Sequence, residues 1–155
     1  MEMNIEMIGF RAELAVYFAE LNLAWLKKYF IAEPIDNTIL SDPKKFIIDK
    51  GGFIFFATAD GQVAGTFALI KISVNIYELS KMAVDEDFQG KKIGNKMMEF
   101  CIDEARRLKA GKLILFSSTK LLPALHLYRK YGFREVEIDD SVYKRSDIKM
   151  ELDIS

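Results

Sequence analysis

Two runs of strand-forming residues, Phe53–Thr58 and Val63–Ile72, flank an Asp60-Gly61 pair. Asp-Gly is a favoured two-residue turn because both positions tolerate positive φ, and its twist matches antiparallel strands. The spacing therefore predicts a hairpin, and nothing else in the chain constrains the fold so tightly. A short turn fixes register, and register decides which side chains face a core. A third run, Asn75–Val84, extends the hairpin into a meander. The period then changes. Ile93, Met97, Phe100, Cys101, Ala105 and Leu108 share one face of a predicted helix over 90–109, with Gly111 as its expected end. Lys112–Phe116, "KLILF", is a short continuous apolar run that reads as a central strand. "LLPALHLYRKYGF" reads as a helix closed by Gly132, and "EVEI" and "DIKMELDI" as final alternating strands.

A strand–helix–strand unit following a meander implies a mixed sheet of about six to seven strands with helices on both faces, an α/β (α+β) architecture. Ahead of the hairpin, residues 2–8 read as a first strand. A helix from about Arg11 to Phe30 comes next, carrying Leu14, Tyr17, Phe18, Leu21 and Trp25 on one face. It stops before Pro34. A short helical turn is expected over Ile35–Leu40. Asp42, Pro43 and Gly51 supply a cap, a first helical position and a stop for another short helix. No repeat or linker interrupts residues 1–155, so one domain is expected.

Half of the 155 residues are hydrophobic, enough for a real core. The 22 basic and 23 acidic residues leave a net charge of −1, which argues against a nucleic-acid partner. A single cysteine, Cys101, permits no internal disulfide. The N-terminus lacks a basic region followed by an apolar run, and no apolar run spans a membrane. A soluble, cytoplasmic protein is expected, without membrane partners. No metal-ligand spacing is present, so no metal is expected.

The segment "DFQGKKIGNKM", Asp87–Met97, lies between the third strand and the amphipathic helix. A helix start presents unpaired amides and the positive end of the helix dipole, a setting that favours phosphate. Gly90 and Gly94 allow close approach of an anion, and Lys91, Lys92 and Lys96 add charge. Read locally, this is either a phosphate cradle or a basic helix start that looks like one. The longer stretch "YELSKMAVDEDFQGKKIGNKMMEFCIDEAR" resembles motif A of the GCN5-related N-acetyltransferases (GNATs), and "LHLYRKYGF" resembles their motif B ending. In the family's Gln/Arg-x-x-Gly-x-Gly/Ala loop, Gln89 and Gly94 match, while Lys92 replaces the middle glycine. A negative φ is expected at Lys92, so that the lysine is carried without strain.

The resemblance implies the GNAT fold, with a splayed parallel strand pair, and a single N-acetyltransferase domain. Its cosubstrate would be acetyl-CoA, with the diphosphate on the backbone of Gln89, Gly90, Lys91, Lys92, Ile93, Gly94 and Asn95. Pantetheine would lie beside Met82, Ala83 and Val84, with the Met82 amide aimed at the thioester carbonyl. Ser117, with Ser118 and Thr119, stands near a position where many family members have an asparagine that contacts the pantetheine, and the resemblance makes Ser117 and Tyr128 candidate cofactor contacts, with Tyr128 facing the CoA sulfur. Tyr128 is the candidate acid for the leaving thiolate. Its alternative reading is an aromatic core residue. Tyr131 is less favoured. Glu78 is the candidate base, or else a solvent-facing or salt-bridged strand residue. Alternation places Glu78, Ser80, Met82 and Val84 on one face, unless a bulge near Met82 re-aims the later residues of the strand.

His126 reads as a surface residue and Cys101 as packing. By resemblance the first helix borders the acceptor site, where Trp25, Tyr29 and Phe30 are candidate lining residues; core packing is the preferred reading of Trp25. Glu33 and Asp36 are read as a solvated acidic turn. The acceptor would be a small-molecule amine or a peptide amine. A domain that binds acyl-CoA without turnover, as a sensor, is the alternative. A nucleotide-binding domain would need a longer loop ending in Lys-Ser/Thr, which is absent. The C-terminal strand either pairs across a homodimer or closes the sheet.

Overall fold

The computed structural model describes residues 3–138 and 144–154. Seven strands form one sheet: β1 (Ile5–Gly9), β2 (Phe53–Ala59), β3 (Gln62–Lys71), β4 (Ile76–Val84), β5 (Lys112–Ser117), β6 (Arg134–Val136) and β7 (Ile148–Asp153). Their order is β1-β2-β3-β4-β5-β7-β6, and every neighbouring pair is antiparallel except β4–β5. The mixed sheet expected from the hairpin and the isolated apolar strand is the one found. Asp60 and Gly61 both take positive φ (50° and 84°), as a two-residue hairpin turn requires. β1 begins at Ile5; residue 2 of its expected span lies outside the described residues. β7 pairs with β5 on one side and β6 on the other, so its backbone closes the sheet within the chain.

Two apolar layers flank the sheet. On one face α4 (Ile93–Arg107) and α5 (Leu122–Lys130) cover a cluster that includes Phe67, Leu79, Met97, Cys101, Leu113 and Met150. On the other, α1 (Ala15–Tyr29) and α2 (Pro34–Ser41) cover Phe18, Leu40, Ile54, Phe56 and Ala68. The short α3 (Pro43–Phe46) starts as expected, with the Asp42 carboxylate accepting from the Lys45 amide.

Three local expectations are corrected. The buried stripe of α1 is Phe18, Asn22 and Leu26, whereas Tyr17 is 43% exposed. A polar residue sits in that stripe and breaks the apolar pattern. Asn22 is accommodated by donating its side-chain amide to the Phe18 carbonyl at 2.9 Å. The helix also starts at Ala15, because the preceding turn, Ala12–Leu14, is a 3-10 turn. Finally, α4 is not closed by Gly111. Lys109 takes the left-handed position (φ 58°), with its amide bonded to the Arg106 carbonyl and the Ala110 amide to the Ala105 carbonyl. That is the paired closure glycine usually serves.

Candidate active site

β4 and β5 pair only where Ile76–Glu78 meet Lys112–Ile114. Beyond that point Leu79–Val84 and Leu115–Ser117 run on without pairing to each other. The parted strands open a cleft of about 800 Å³, within the size range of small-molecule sites. Glu78, Met82, Ala83, Val84, Gln89, Gly90, Lys92, Ile93, Gly94, Asn95, Ser117 and Tyr128 all line it. Lys91 is not among the lining residues and is exposed.

A β-bulge shapes the wall formed by β4. Its register with β3 runs Ala68↔Ser80 and then Thr66↔Ala83, so Lys81 and Met82 together oppose Phe67. Lys81 takes φ 56°, and the extra residue flips the alternation. Met82 and Val84 pack with Leu79 and Tyr77 on the α4 side. The single face expected for Glu78, Ser80, Met82 and Val84 is therefore broken by a bulge at Lys81 and Met82, the exception that expectation allows.

Lys81 is held by charge. Its Nζ lies 2.8 Å from Asp36 Oδ1, and the two side chains are 4% and 0% exposed. Arg145 grips the same carboxylate at 2.7 and 2.9 Å and also contacts Glu33 at 3.1 Å. Glu33 caps α2 in a reciprocal box with Asp36. Burial would raise the Asp36 carboxyl, but bonds from Arg145, Lys81 and the Glu33 amide outweigh it and hold the group down at about 2. The expected solvated acidic turn is thus a buried ionic knot tying α2 to the β4 bulge and the segment before β7.

Glu78 sits at the last paired position of β4, where the strands part, and is 9% exposed. Burial pushes its carboxyl up to about 7, opposed by the charge of Lys81, a Ser80 hydrogen bond and the charge of Lys149. It is neither solvent-facing nor within ion-pair distance of a cation among the described residues.

Tyr128 is placed by the end of α5. The Gly132 amide bonds the Arg129 carbonyl, the Phe133 amide bonds the Tyr128 carbonyl, and Gly132 takes φ 99°. In this closure the residues at the two ends of the longer bond usually touch; here the Tyr128 and Phe133 rings lie 6.0 Å apart. The "LYRKYGF" segment is thus a device for fixing a tyrosine against the cleft. Burial pushes its phenol up to about 12, and its hydroxyl makes no hydrogen bond among the described residues. Tyr131 is absent from the lining and bonds Glu99 at 2.8 Å.

At the loop, Gly90 takes φ 79° and Lys92 takes φ 63° as the residue preceding α4. The negative φ expected at Lys92 is corrected: the turn into α4 needs a left-handed residue there, whatever its side chain. Alternating left-handed residues turn successive amides inwards as an anion nest. The amides of residues 90–95 donate to no acceptor among the described residues. A Cβ at Gly94 would meet only Leu127, at an ordinary 3.6 Å, so packing within the chain does not demand glycine there. Bare amides, a strand gap leading from them and lysines at 91, 92 and 96 together fit the diphosphate and extended arm of acetyl-CoA.

The far end of the cleft belongs to α1. Trp25 lines it, with its ring 5.6 Å from Tyr29 and 5.5 Å from Phe30, and it joins neither core cluster. The core reading of Trp25 is thereby corrected. At the end of β5, Ser117 and the following Ser118 are buried, and Thr119 bonds Asp147 at 2.8 and 2.7 Å. His126 is exposed and Cys101 buried, its thiol pushed up by burial. No cluster of metal-binding side chains occurs among the described residues, and none of their helices is long and apolar enough to cross a membrane.

Residues 50–135 match the family model described as an acetyltransferase (GNAT) domain. The uncharacterised N-acetyltransferase YvbK of Bacillus subtilis is 31% identical over 116 residues, 73% of this chain and 75% of that protein. A ribosomal-protein alanine N-acetyltransferase of Escherichia coli is 30% identical over 60% of this chain and 62% of its own length. Spermidine N(1)-acetyltransferase of the same organism is 29% identical over 72% and 62%. Among solved structures, a GNAT-family acetyltransferase of Staphylococcus aureus superposes with a TM-score of 0.87 at 21% identity, over 98% of this chain and 100% of that one. A second, yncA of Salmonella typhimurium with its cofactor acetyl-CoA, gives 0.76 at 16% identity, over 97% and 94%.

Proposed function

We propose a residue-level mechanism for a chain that belongs to the GNAT acetyltransferase family and is an acetyl-CoA-dependent N-acetyltransferase. Residues 1–155 act as one domain. The amides of residues 90–95 receive the diphosphate of acetyl-CoA at the positive end of α4, assisted by Lys92. Met82, Ala83 and Val84 border the pantetheine arm in the strand gap, and Ser117 faces it from β5. The bulge sets the Met82 amide off the regular ladder, available to the thioester oxygen as negative charge develops there.

Glu78 takes the proton of the attacking amine, directly or through water. The amine nitrogen bonds the acetyl carbon, the carbon–sulfur bond breaks, and Tyr128 supplies the proton that the departing thiolate needs. The observation that carries this reading is the position of Glu78. It is a buried carboxyl at the point where β4 and β5 separate, with a proton affinity near neutrality. A base poised there is half-ionised at pH 7, and a phenol raised to about 12 stays protonated and able to donate.

The test is thiol release from acetyl-CoA with an amine panel, beside calorimetry of acetyl-CoA binding. Glu78→Gln is expected to lower kcat by about 10²–10⁴ with unchanged acetyl-CoA affinity. Tyr128→Phe is expected to lower kcat while sparing affinity. A Glu78→Gln enzyme within twofold of the parent would remove Glu78 from the reaction.

A further inference from the structure

We infer that the acceptor is a small amine that also carries a carboxylate, and not a polycation. This rests on the acetyl-transfer reading above and concerns the acceptor end of the same cleft.

The charges around the cleft are unequal. Among the described residues, Glu78 is the only acidic one in its lining, against five cations: Lys28, Lys81, Lys92, Lys120 and Arg145. Glu78 is already committed to receiving a proton. Three of the cations already have carboxylates. Lys81 and Arg145 are held by Asp36, with Glu33 on Arg145, and Lys28 lies 2.9 Å from Glu86. Lys92 belongs to the phosphate loop. Lys120 is different. It stands on the turn between β5 and α5, with no carboxylate within ion-pair distance among the described residues. Asp147, a carboxylate that feels its charge, is engaged by Thr119.

The ammonium of Lys120 sits 4.3 Å over the ring of Phe30, and the Arg145 guanidinium is 5.9 Å from that ring. Phe30 touches Trp25, and Trp25 touches Tyr29. The acceptor end is therefore an aromatic wall topped by a cation that has no carboxylate partner among the described residues. It is linked to Glu78 by charge and contact in turn: Glu78 feels the charge of Lys81, Lys81 binds Asp36, Asp36 binds Arg145, and Arg145 faces Phe30.

A polyamine would bring a second ammonium against Lys120 and find, among the described residues of the lining, only Glu78 to receive it. An amine with an apolar body and a carboxylate satisfies every group instead. The body lies on Trp25, Tyr29 and Phe30, the carboxylate meets Lys120, and the amine faces Glu78. A charge-assisted contact of this kind both strengthens and orients binding.

The experiment uses the full chain with acetyl-CoA and matched amines. Leucine, phenylalanine and ω-aminohexanoate are set beside their decarboxylated counterparts isoamylamine, phenethylamine and pentylamine, with spermidine as the polycation. The expected result is a kcat/KM at least tenfold higher for a carboxylate-bearing amine than for its counterpart and for spermidine. Lys120→Glu is expected to abolish that preference, mainly through KM, while acetyl-CoA affinity measured by calorimetry stays within twofold. Turnover of the decarboxylated amines but of no carboxylate-bearing amine, a preference for spermidine, or a carboxylate preference that survives Lys120→Glu overturns the inference and leaves the transfer mechanism standing. Failure to bind acetyl-CoA overturns both.

Discussion

Lys92 offers a direct measure of what this loop costs the fold. Its φ of 63° and ψ of 23° are those of a left-handed residue, a conformation that costs an ordinary L-residue about 1–2 kcal/mol. Glycine removes that cost but loses about 0.5–1 kcal/mol more conformational entropy on folding. The difference predicts that Lys92→Gly stabilises the protein by about 0.5–1 kcal/mol. For a chain of this size that is a rise of about 1–4 °C in Tm. Lys92→Ala is the control. Alanine removes the same ammonium but keeps the Cβ and the strain, so its stability should match the parent. Thermal unfolding of the three proteins without ligand reads the strain alone. Calorimetry with acetyl-CoA then reads the charge, because both variants lack the ammonium and should weaken by a similar factor, about 2- to 10-fold. If the glycine variant proves no more stable than the alanine variant, the left-handed turn carries no strain worth relieving. If glycine binds tenfold tighter than alanine, the lysine acts through backbone shape and not through charge.

The buried carboxyls give stability two opposite dependences on pH. Glu78 has a folded-state proton affinity raised from 4.5 to about 7, so the native state binds the proton more tightly than the unfolded chain. Stability is then greatest below about pH 4.5 and falls by about 3 kcal/mol as the pH rises through 7, while kcat/KM rises over the same window. Urea titrations and rate profiles between pH 4.5 and 8 should move in opposite directions, and Glu78→Gln should flatten both. Asp36 has the opposite sign: held at about 2, it adds stability that is present above pH 3.8 and lost as the pH falls through 2. Asp36→Asn leaves Lys81 and Arg145 underneutralised in a buried site and is expected to cost about 3–5 kcal/mol at pH 7, read by urea unfolding; a loss below about 1 kcal/mol would show that water enters the knot.

What could be read from the sequence was whatever is encoded by neighbours a few residues apart. The Asp60-Gly61 turn, the face of α4 from Ile93 to Ala105, the isolated apolar β5 and the Gly132 closure each carry a local rule that little else can satisfy. The ionic knot carries none. Asp36 meets Lys81 across 45 residues and Arg145 across 109, so Glu33 and Asp36 look from the chain alone like an ordinary acidic turn. Asn22 disguised the buried stripe of α1 in the same way, since its partner is a backbone carbonyl and not an apolar neighbour. The left-handed residues are hidden for a different reason. Lysine gives no signal of positive φ, so the sequence points to Gly111 for the closure of α4, which Lys109 performs.

Two of those left-handed lysines, Lys81 and Lys92, line the cleft. Backbone strain tends to collect where a site requires a geometry that regular strands and helices do not provide. In β4 the requirement is a change of face. Glu78 must project at the parting of the strands, yet Met82 and Val84 must enter the core beneath α4. A regular strand would turn all three to one side, so one extra residue is inserted, and it is Lys81. Glycine would meet the backbone requirement at lower conformational cost, but it could not reach Asp36. Lysine reaches it at 2.8 Å and ties the bulge to α2, the helix that comes after the aromatic wall of α1. The strained position thus couples the β4 wall of the cleft to the α1 and α2 elements at its far end, which is why a side chain stands where local preference alone would favour none.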